Sequence, residues 1–239
     1  MSIASELSRI QQAKSDLATS ITNKGVTVPA ATTLDGYAAL VDQIQQGGTP
    51  VLPYDAEVEY LQSSGTQYID IGIIGNALLE YEVKYLWVNG DYRYILCAQK
   101  SDSVDRFSLM TGTWSNRRMY YNNGDSSNQK YYALTAAEQS APVVSRKVYY
   151  DIFQNTARKG YFSAETYTTP TTITLFSGHN ETGYMTGNSF VGRIYYVKIG
   201  NLDLIPVRKG QVGYLYDKVS NTLFGNAGTG SFTLGPDVT

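Results

Sequence analysis

Glu80 and Glu82, in "LEYEVKYLW", stand two residues apart. On a strand, such a pair faces one side. That is the geometry a sugar-cleaving site needs when its carboxyls lie ~5–5.5 Å apart. A solvated strand face is the better account of the pair, and no catalytic residue is assigned. Cys97 and His179 each occur once in the chain. A single cysteine forms no intramolecular disulfide, and the two together leave no zinc site and no cysteine–histidine nucleophile of the usual kind. His179 lies in the polar stretch "SGHNETG", which reads as an exposed loop. The chain is expected not to be an enzyme.

The richest candidate for recognition is "GTWSNRRMYYNNGD". Trp114 can stack on the apolar face of a sugar, and Arg117 and Arg118 can meet carboxylates or phosphates. Tyr120, Tyr121 and Asn122 add amphipathic and amide contacts. Because successive strand residues alternate faces, at most half of these can reach one ligand. The overlapping stretch "YYNNGDSSNQ" is rich in oxygen ligands but lacks EF-hand spacing. A hairpin around Asn123-Gly124 is expected there, with calcium as the alternative. No metal or cofactor is assigned. "GNAGTG" lacks the Lys-Ser/Thr ending of a phosphate loop and reads as a glycine-rich connection.

These residues need elements to hold them. The chain has 239 residues and a net charge of −2, from 19 Lys+Arg and 21 Asp+Glu. That balance gives no electrostatic case for nucleic acid or an anionic membrane. No apolar run of membrane-spanning length exists, and the N-terminus lacks an apolar leader segment, so folding in a cytoplasm is expected. There are 21 Tyr against 7 Phe. Tyrosine suits half-buried strands and binding faces alike.

Ile3, Leu7, Ile10, Leu17 and Ile21 follow heptad spacing, with Lys14 at the remaining seam position. So narrow a stripe suits packing against one or two partner helices. Self-association, as a homotrimer, is expected of this segment; a helical hairpin docked on its own β domain is the alternative. Gly25 reads as a helix C-terminal cap, and Thr33 as the N-cap of a second helix carrying Leu34, Tyr37, Leu40, Val41 and Ile44. Gly47-Gly48 ends that helix. The expected organisation is a helical assembly segment over 1–46, a linker over 47–53 and a β domain over 54–239.

Beyond Pro53 the period falls to two. Leu79, Tyr81, Val83, Tyr85 and Trp87 share one strand face, and Ile69, Ile71 and Ile73 share another. Turn signals at Asn89-Gly90, Asn123-Gly124, Gly178 to Gly183 and Gly200-Asn201 separate more than ten short strands. That pattern predicts an antiparallel sandwich. "VEYLQSSGTQYIDIGI" (58–73) reads as a hairpin turning at Ser63-Ser64-Gly65, and Pro206 predicts an edge strand.

Two stretches carry a resemblance. "VEYLQSSGTQYIDIGI" and "LIPVRKGQVGYLYDKVSNTLFGNAGTGSFTLG" (204–235) resemble the opening and closing motifs of concanavalin A-like (laminin-G-like) jelly-roll domains of phage structural proteins. The match brackets residues 57–236, while the strands between agree only in style. The N-terminal "ASELSRIQQAKSDLATSITNKGVTVPAATTLDGYAALVDQI" is similar to segments of phage tail and tail-fibre proteins. The resemblance implies a mainly β jelly-roll protein of the phage tail. It would partner itself, other virion proteins and a bacterial surface glycan, without inserting in a membrane. Concanavalin-like hydrolases carry Glu-x-Asp-x-x-Glu on one strand, and here Tyr85 stands where the last glutamate would be. A virion protein without glycan binding and a glycan depolymerase are the two rival readings. Tyr60, Gln67 and Asp70 of the opening motif read as architectural.

Overall fold

The computed structural model of the protein describes residues 3–44 and 52–238. Two compact units divide between Leu52 and Pro53. The expected helix stop at Gly47-Gly48, and most of the expected linker, lie outside the described residues.

In the first unit, α1 spans Ile3–Thr22 and α2 spans Gly36–Asp42. Gly25, at φ 84°, ends α1 as expected. The Val26 N–H reaches back to the Ile21 carbonyl and the Gly25 N–H to the Thr22 carbonyl, a Schellman cap. Asp35 rather than Thr33 occupies the N-cap of α2, without a side-chain capping bond, because Leu34 lies in a turn that precedes the helix. Of the seam, Ile21 is buried and Lys14 half-buried, while Leu7 (55% exposed) and Ile10 (46%) stand out in solvent with Ile3 and Leu17. Four of the six seam positions, Ile3, Leu7, Ile10 and Leu17, are therefore exposed among the described residues.

The second unit is almost wholly β. Its first strands are β1 (Ala56–Glu57), β2 (Leu61–Ser64), β3 (Ile69–Asn76), β4 (Tyr81–Asn89), β5 (Tyr94–Ala98) and β6 (Arg106–Thr111). There follow β7 (Arg118–Gly124), β8 (Gln129–Ala133), β9 (Val143–Val148), β10 (Asp151–Gln154), β11 (Ala157–Tyr161) and β12 (Thr168–Leu175). The last are β13 (Gly178–Asn180), β14 (Gly183–Met185), β15 (Val191–Ile199), β16 (Leu202–Lys209), β17 (Val212–Asp217), β18 (Thr222–Phe224) and β19 (Thr233–Leu234). One sheet runs β11-β10-β9-β4-β15-β16-β17-β18, with β2 on β15, β19 on β2 and β1 on β16. The other runs β3-β12-β5-β6-β7-β8, and β13-β14 is a separate hairpin. Every ladder is antiparallel.

The two sheets share one core, as in a sandwich. Tyr81, Val83, Tyr85 and Trp87 of β4 are buried while Glu82, Lys84 and Leu86 between them are half-exposed. This is the alternation read from the sequence. They meet Phe107, Leu109, Met119 and Tyr121 of the second sheet in a single cluster. Each such side chain taken fully from water contributes roughly 2 kcal/mol.

Three local expectations are corrected. The stretch 58–73 is not a hairpin: β2 pairs β15 and β19, whereas β3 pairs β12 in the other sheet. Ser63-Ser64-Gly65 turns the chain from one sheet to the other. Asn123-Gly124 is not the turn either; both residues are in β7, and the connection to β8 is made by residues 125–128. Pro206 is interior. It sits where β16 exchanges β15 for β1 as neighbour, so its missing N–H interrupts no ladder, and its carbonyl accepts the Val58 N–H.

The corner and the C-terminal loop hold each other. Gln67 is buried, and its Oε1 accepts the Ser64 N–H and both the Ser63 and Ser64 hydroxyls. Ala227 N–H donates to Tyr68 O and Thr229 N–H to Thr66 O. Asn226 Oδ1 accepts the Tyr68 N–H. A methyl at Gly228 would lie 2.2 Å from the Thr66 carbonyl oxygen, so only glycine allows this approach. Gly228→Ala should lower the unfolding free energy by about 2–3 kcal/mol in urea titrations. Gly187→Ala, with open space around its Cβ, should stay within about 0.5 kcal/mol of the parent.

Candidate functional site

β7 sets the candidate face by simple alternation. Met119 and Tyr121 point into the core; Arg118, Tyr120 and Asn122 point outward. Cross-strand register then places Met110 of β6 and Tyr131 of β8 on either side of Tyr120. The Tyr120 ring centroid lies 5.5 Å from that of Tyr131 and 6.4 Å from that of Tyr92. Tyr131 is 52% exposed, Tyr92 46% and Trp114 39%. The Arg118 guanidinium rests 4.8 Å from the Tyr131 ring centroid.

One row further along the same strands, Ser108, Asn122 and Gln129 face each other. Asn122 Nδ2 donates to Ser108 Oγ at 2.8 Å, and its Oδ1 accepts Gln129 Nε2 at 2.8 Å. Asn122 is thus buried and fully engaged, not a free ligand contact as expected. Tyr121 is corrected too. It is a core residue whose hydroxyl lies 2.8 Å from Ser145 Oγ, which is itself 3.0 Å from the Tyr85 hydroxyl. Burial pushes the phenol pKa of Tyr121 up. Of the six expected contacts, Arg118 and Tyr120 share the outward face of β7 beside Tyr131, whereas Trp114 and Arg117 meet each other and Trp87 of the first sheet.

Trp114 and Arg117 come from the β6–β7 connection. The Trp114 N–H donates to Asp91 Oδ1. Arg117 adopts a left-handed backbone, φ 46°, held by its N–H on Thr113 O and its carbonyl on the Leu134 N–H. Its guanidinium centre lies 3.0 Å from the Trp114 ring centroid and 5.0 Å from that of Trp87. Burial there lowers the Arg117 pKa from its ordinary value.

The neighbouring half of the face, over β5 and β12, is covered by the β13-β14 hairpin. Tyr94 lies in the same cross-strand row as Met110 and Tyr120, and a methyl at Gly178 would touch its ring at 2.8 Å. His179 is part of this cover. Its Nδ1 lies 2.9 Å from Thr172 O, and its ring stacks on Tyr184 at 4.3 Å. Asp70 Oδ2 accepts the Thr172 and Tyr184 hydroxyls, tying the hairpin to β3 and β12. Cys97 lies beneath, and burial pushes its thiol up to about 12.

Glu80 and Glu82 lie on the outside of the other sheet. Glu82 accepts the Tyr196 hydroxyl at 2.9 Å and stands 3.7 Å from Arg146; Glu80 accepts the Tyr149 N–H. They line a cleft of about 200 Å³ with Arg146, Lys147 and Lys198. In "YYNNGDSSNQ" the Asn122 and Asn123 side-chain oxygens are occupied by Gln129 and Tyr167. Among the described residues, no group of three or more His, Cys, Asp or Glu side chains is placed to hold a metal ion. No helix among them is long and apolar enough to cross a membrane.

Three residues of note escaped the sequence reading. Tyr92 and Tyr131 complete the exposed aromatic group. Lys147 is 1% exposed, and its Nζ donates to the Ala77 and Leu79 carbonyls at 2.8 and 2.9 Å. Its signal was the alternation Val143, Ser145, Lys147, which puts the lysine on the inward face of β9.

Neither a protein-family model nor a curated protein sequence matches the chain.

Desolvation lowers the Lys147 pKa to about 8, against 10.5 for the free side chain. Between these values the unfolded chain holds a proton that the folded protein has released, so stability rises with pH in this window. Lys147→Met should remove that rise. The stability difference between parent and variant should shift in the parent's favour by up to about 3 kcal/mol from pH 8 to 10.5, read by urea unfolding at each pH.

Proposed function

We propose that this protein is a structural component of a phage tail or fibre whose β unit binds carbohydrate on a bacterial surface. In this reading the β unit is a jelly roll of the concanavalin A-like kind, and the first unit self-associates as a homotrimer that also contacts other virion proteins. The carrying observation is the tyrosine group on the outer side of β7 and β8, in which half-buried Tyr120 is in ring contact with exposed Tyr92 and Tyr131. Flat aromatic rings fixed on a sheet offer stacking surfaces for the C–H faces of sugar rings, and tyrosine loses little entropy when it binds. The jelly-roll assignment rests on two antiparallel sheets over one core and on the mutual contact of the opening and closing motifs.

A wholly structural role, in which this face meets another virion subunit, is the second reading. The β13-β14 hairpin favours it, because the protein already covers half of the face with its own chain. A depolymerase has less behind it. Glu80 and Glu82 stand on the opposite side of the sandwich from the aromatic group, and Glu82 is engaged by Tyr196 and Arg146.

A tyrosine stack on one sugar gives modest affinity; several copies on one stem raise avidity by roughly 10²–10⁴. The uncovered Ile3, Leu7, Ile10 and Leu17 supply the stem in this reading.

Two experiments bear on it. Tyr131→Ala should abolish detectable binding on an array of bacterial surface glycans while leaving the melting temperature within about 2 °C, since the side chain is half in solvent. Binding by the parent that survives this change intact would remove the aromatic face from the account. In light scattering, the full chain should have the mass of three copies, and Leu7→Asp with Ile10→Asp should have the mass of one. A monomeric parent would remove the stem.

A further inference from the structure

The dipeptide Asn-Gly occurs twice in the chain, at Asn89-Gly90 and Asn123-Gly124. Such a pair is open to spontaneous loss of ammonia, because glycine leaves its own amide nitrogen unshielded and free to turn toward the asparagine side chain. The fold treats the two pairs in opposite ways. Asn123 is 0% exposed, and its Oδ1 accepts the Tyr167 hydroxyl. Asn123 and Gly124 both lie in ladder register, opposite Phe107 and Arg106. Asn89, by contrast, is the last residue of β4 and stands in solvent. Its Oδ1 accepts the N–H of the very next residue, Gly90, at 2.7 Å.

That contact brings together the two atoms that would react. Asn89 Cγ is one C=O bond, about 1.2 Å, from its Oδ1, so Gly90 N lies at most about 4 Å from Cγ. An attack geometry needs roughly 3–3.5 Å, which a small rotation of the exposed amide supplies. Gly90 has φ 88°, and a side chain there would begin 2.7 Å from Arg93 Nε, so the turn keeps glycine at this position. The neighbouring guanidinium favours the negative charge that appears on the amide nitrogen when its proton leaves. Trp87 Nε1–H donates to the Asn89 and Gly90 carbonyls, both at 3.0 Å, and so steadies the turn in this arrangement.

We infer that Asn89 is a site of spontaneous deamidation in the folded protein, and that Asn123 is not. Gly90 N, having released its proton, bonds to Asn89 Cγ. The Cγ–Nδ2 bond breaks, and the Nδ2 group leaves with that proton as ammonia. Water then opens the cyclic imide at either of its two carbonyls, giving aspartate or isoaspartate at residue 89. The net exchange is one water for one ammonia, with no oxidation or reduction. Each product adds a negative charge at the end of β4, and isoaspartate also lengthens the backbone by one carbon. The lengthened turn leads directly into Asp91, which accepts the Trp114 N–H, and into Tyr92 of the tyrosine group. Chemical ageing at Asn89 thus reaches the candidate face, whatever that face binds.

The test is peptide mapping by mass spectrometry of the full chain, aged for days in mildly alkaline buffer at body temperature. The synthetic peptide YLWVNGDYR, residues 85–93, is aged beside it as the unstructured reference. Trypsin releases the same peptide from the protein, together with MYYNNGDSSNQK, residues 119–130, which carries Asn123. In the folded protein Asn89 should gain about 1 Da at a rate within about three-fold of the synthetic peptide, and Asn123 should convert at least about ten-fold more slowly. In urea the two sites should convert within a few-fold of each other, since only the fold separates them. Asn89 that stays intact while the synthetic peptide converts would overturn the inference. So would Asn89 and Asn123 converting at one rate in the folded protein.

Discussion

The β unit depends on one long-range closure. Thr66 and Thr229 lie 163 residues apart, and they exchange hydrogen bonds, Thr229 N–H to Thr66 O and Thr66 Oγ1 to Thr229 O. Bringing such distant segments together costs on the order of 4–5 kcal/mol in chain entropy. One hydrogen bond returns about 1 kcal/mol net, so no single contact holds the closure. A series does. Val238 N–H bonds Glu57 O, Glu59 N–H bonds Pro236 O, Gly235 N–H bonds Tyr60 O, and Ala227 N–H bonds Tyr68 O. Buried Leu61 and Phe232 add apolar area at the same seam. The two motifs that bracket the domain are therefore halves of one structure. Asp217, fully buried, continues it by accepting the N–H groups of Asp203, Val219 and Ser220.

This closure decides what the face at the other end of the second sheet can be. Because the corner at Ser63 to Gly65 sends the chain from the first sheet to the second, β3 begins at Ile69 on the β12 edge. The β6-β7-β8 meander is left at the opposite edge, built from local hairpins. Local hairpins fix register through their turns, and register fixes which side chains are neighbours. The aromatic group is thus positioned by short-range geometry on a scaffold held by long-range geometry. Beneath it, Tyr121, Ser145 and Tyr85 form a buried hydroxyl chain that ties β7 to β9 and β4, so the strand carrying Tyr120 is braced from the core side.

What could be read from the sequence was what repeats locally. The β4 alternation, the isoleucines of β3 and the left-handed Gly25 cap each depend on a few adjacent residues. What could not be read depended on partners far away. Nothing in residues 58–73 says that β2 and β3 belong to different sheets, because the partner of each is more than ninety residues downstream. The site failed for a subtler reason. A turn placed at Asn123-Gly124 sets Tyr120 opposite residue 127, whereas the true connection at 125–128 sets it opposite Tyr131. A shift of the turn by a few residues hid the most exposed tyrosine of the face. It also made Asn122 look free when its pairing row contains Ser108 and Gln129. Asn-Gly favours tight turns, but here Gly124 is needed in the strand because its φ of 98° is one that L side chains rarely adopt.

The same physics bears on why the candidate face would work as a binding surface at all. Side chains on a flat sheet edge ordinarily lose rotamer freedom when a ligand arrives, and that loss subtracts from affinity. Here much of the ordering precedes the ligand. Arg117 is pinned between two indoles, Trp114 is anchored through its backbone to Asp91, and Arg118 lies on Tyr131. The cost is borne in the free protein, as left-handed backbone at Tyr92 and Arg117 and as a buried guanidinium nitrogen without a partner. Left-handed backbone also occurs at Asp105, Tyr149, Asn155, Phe176 and Asn221, and buried nitrogens without a partner at Arg106 and Arg146, so neither feature by itself marks a binding surface; what distinguishes this place is the exposure of its tyrosine rings.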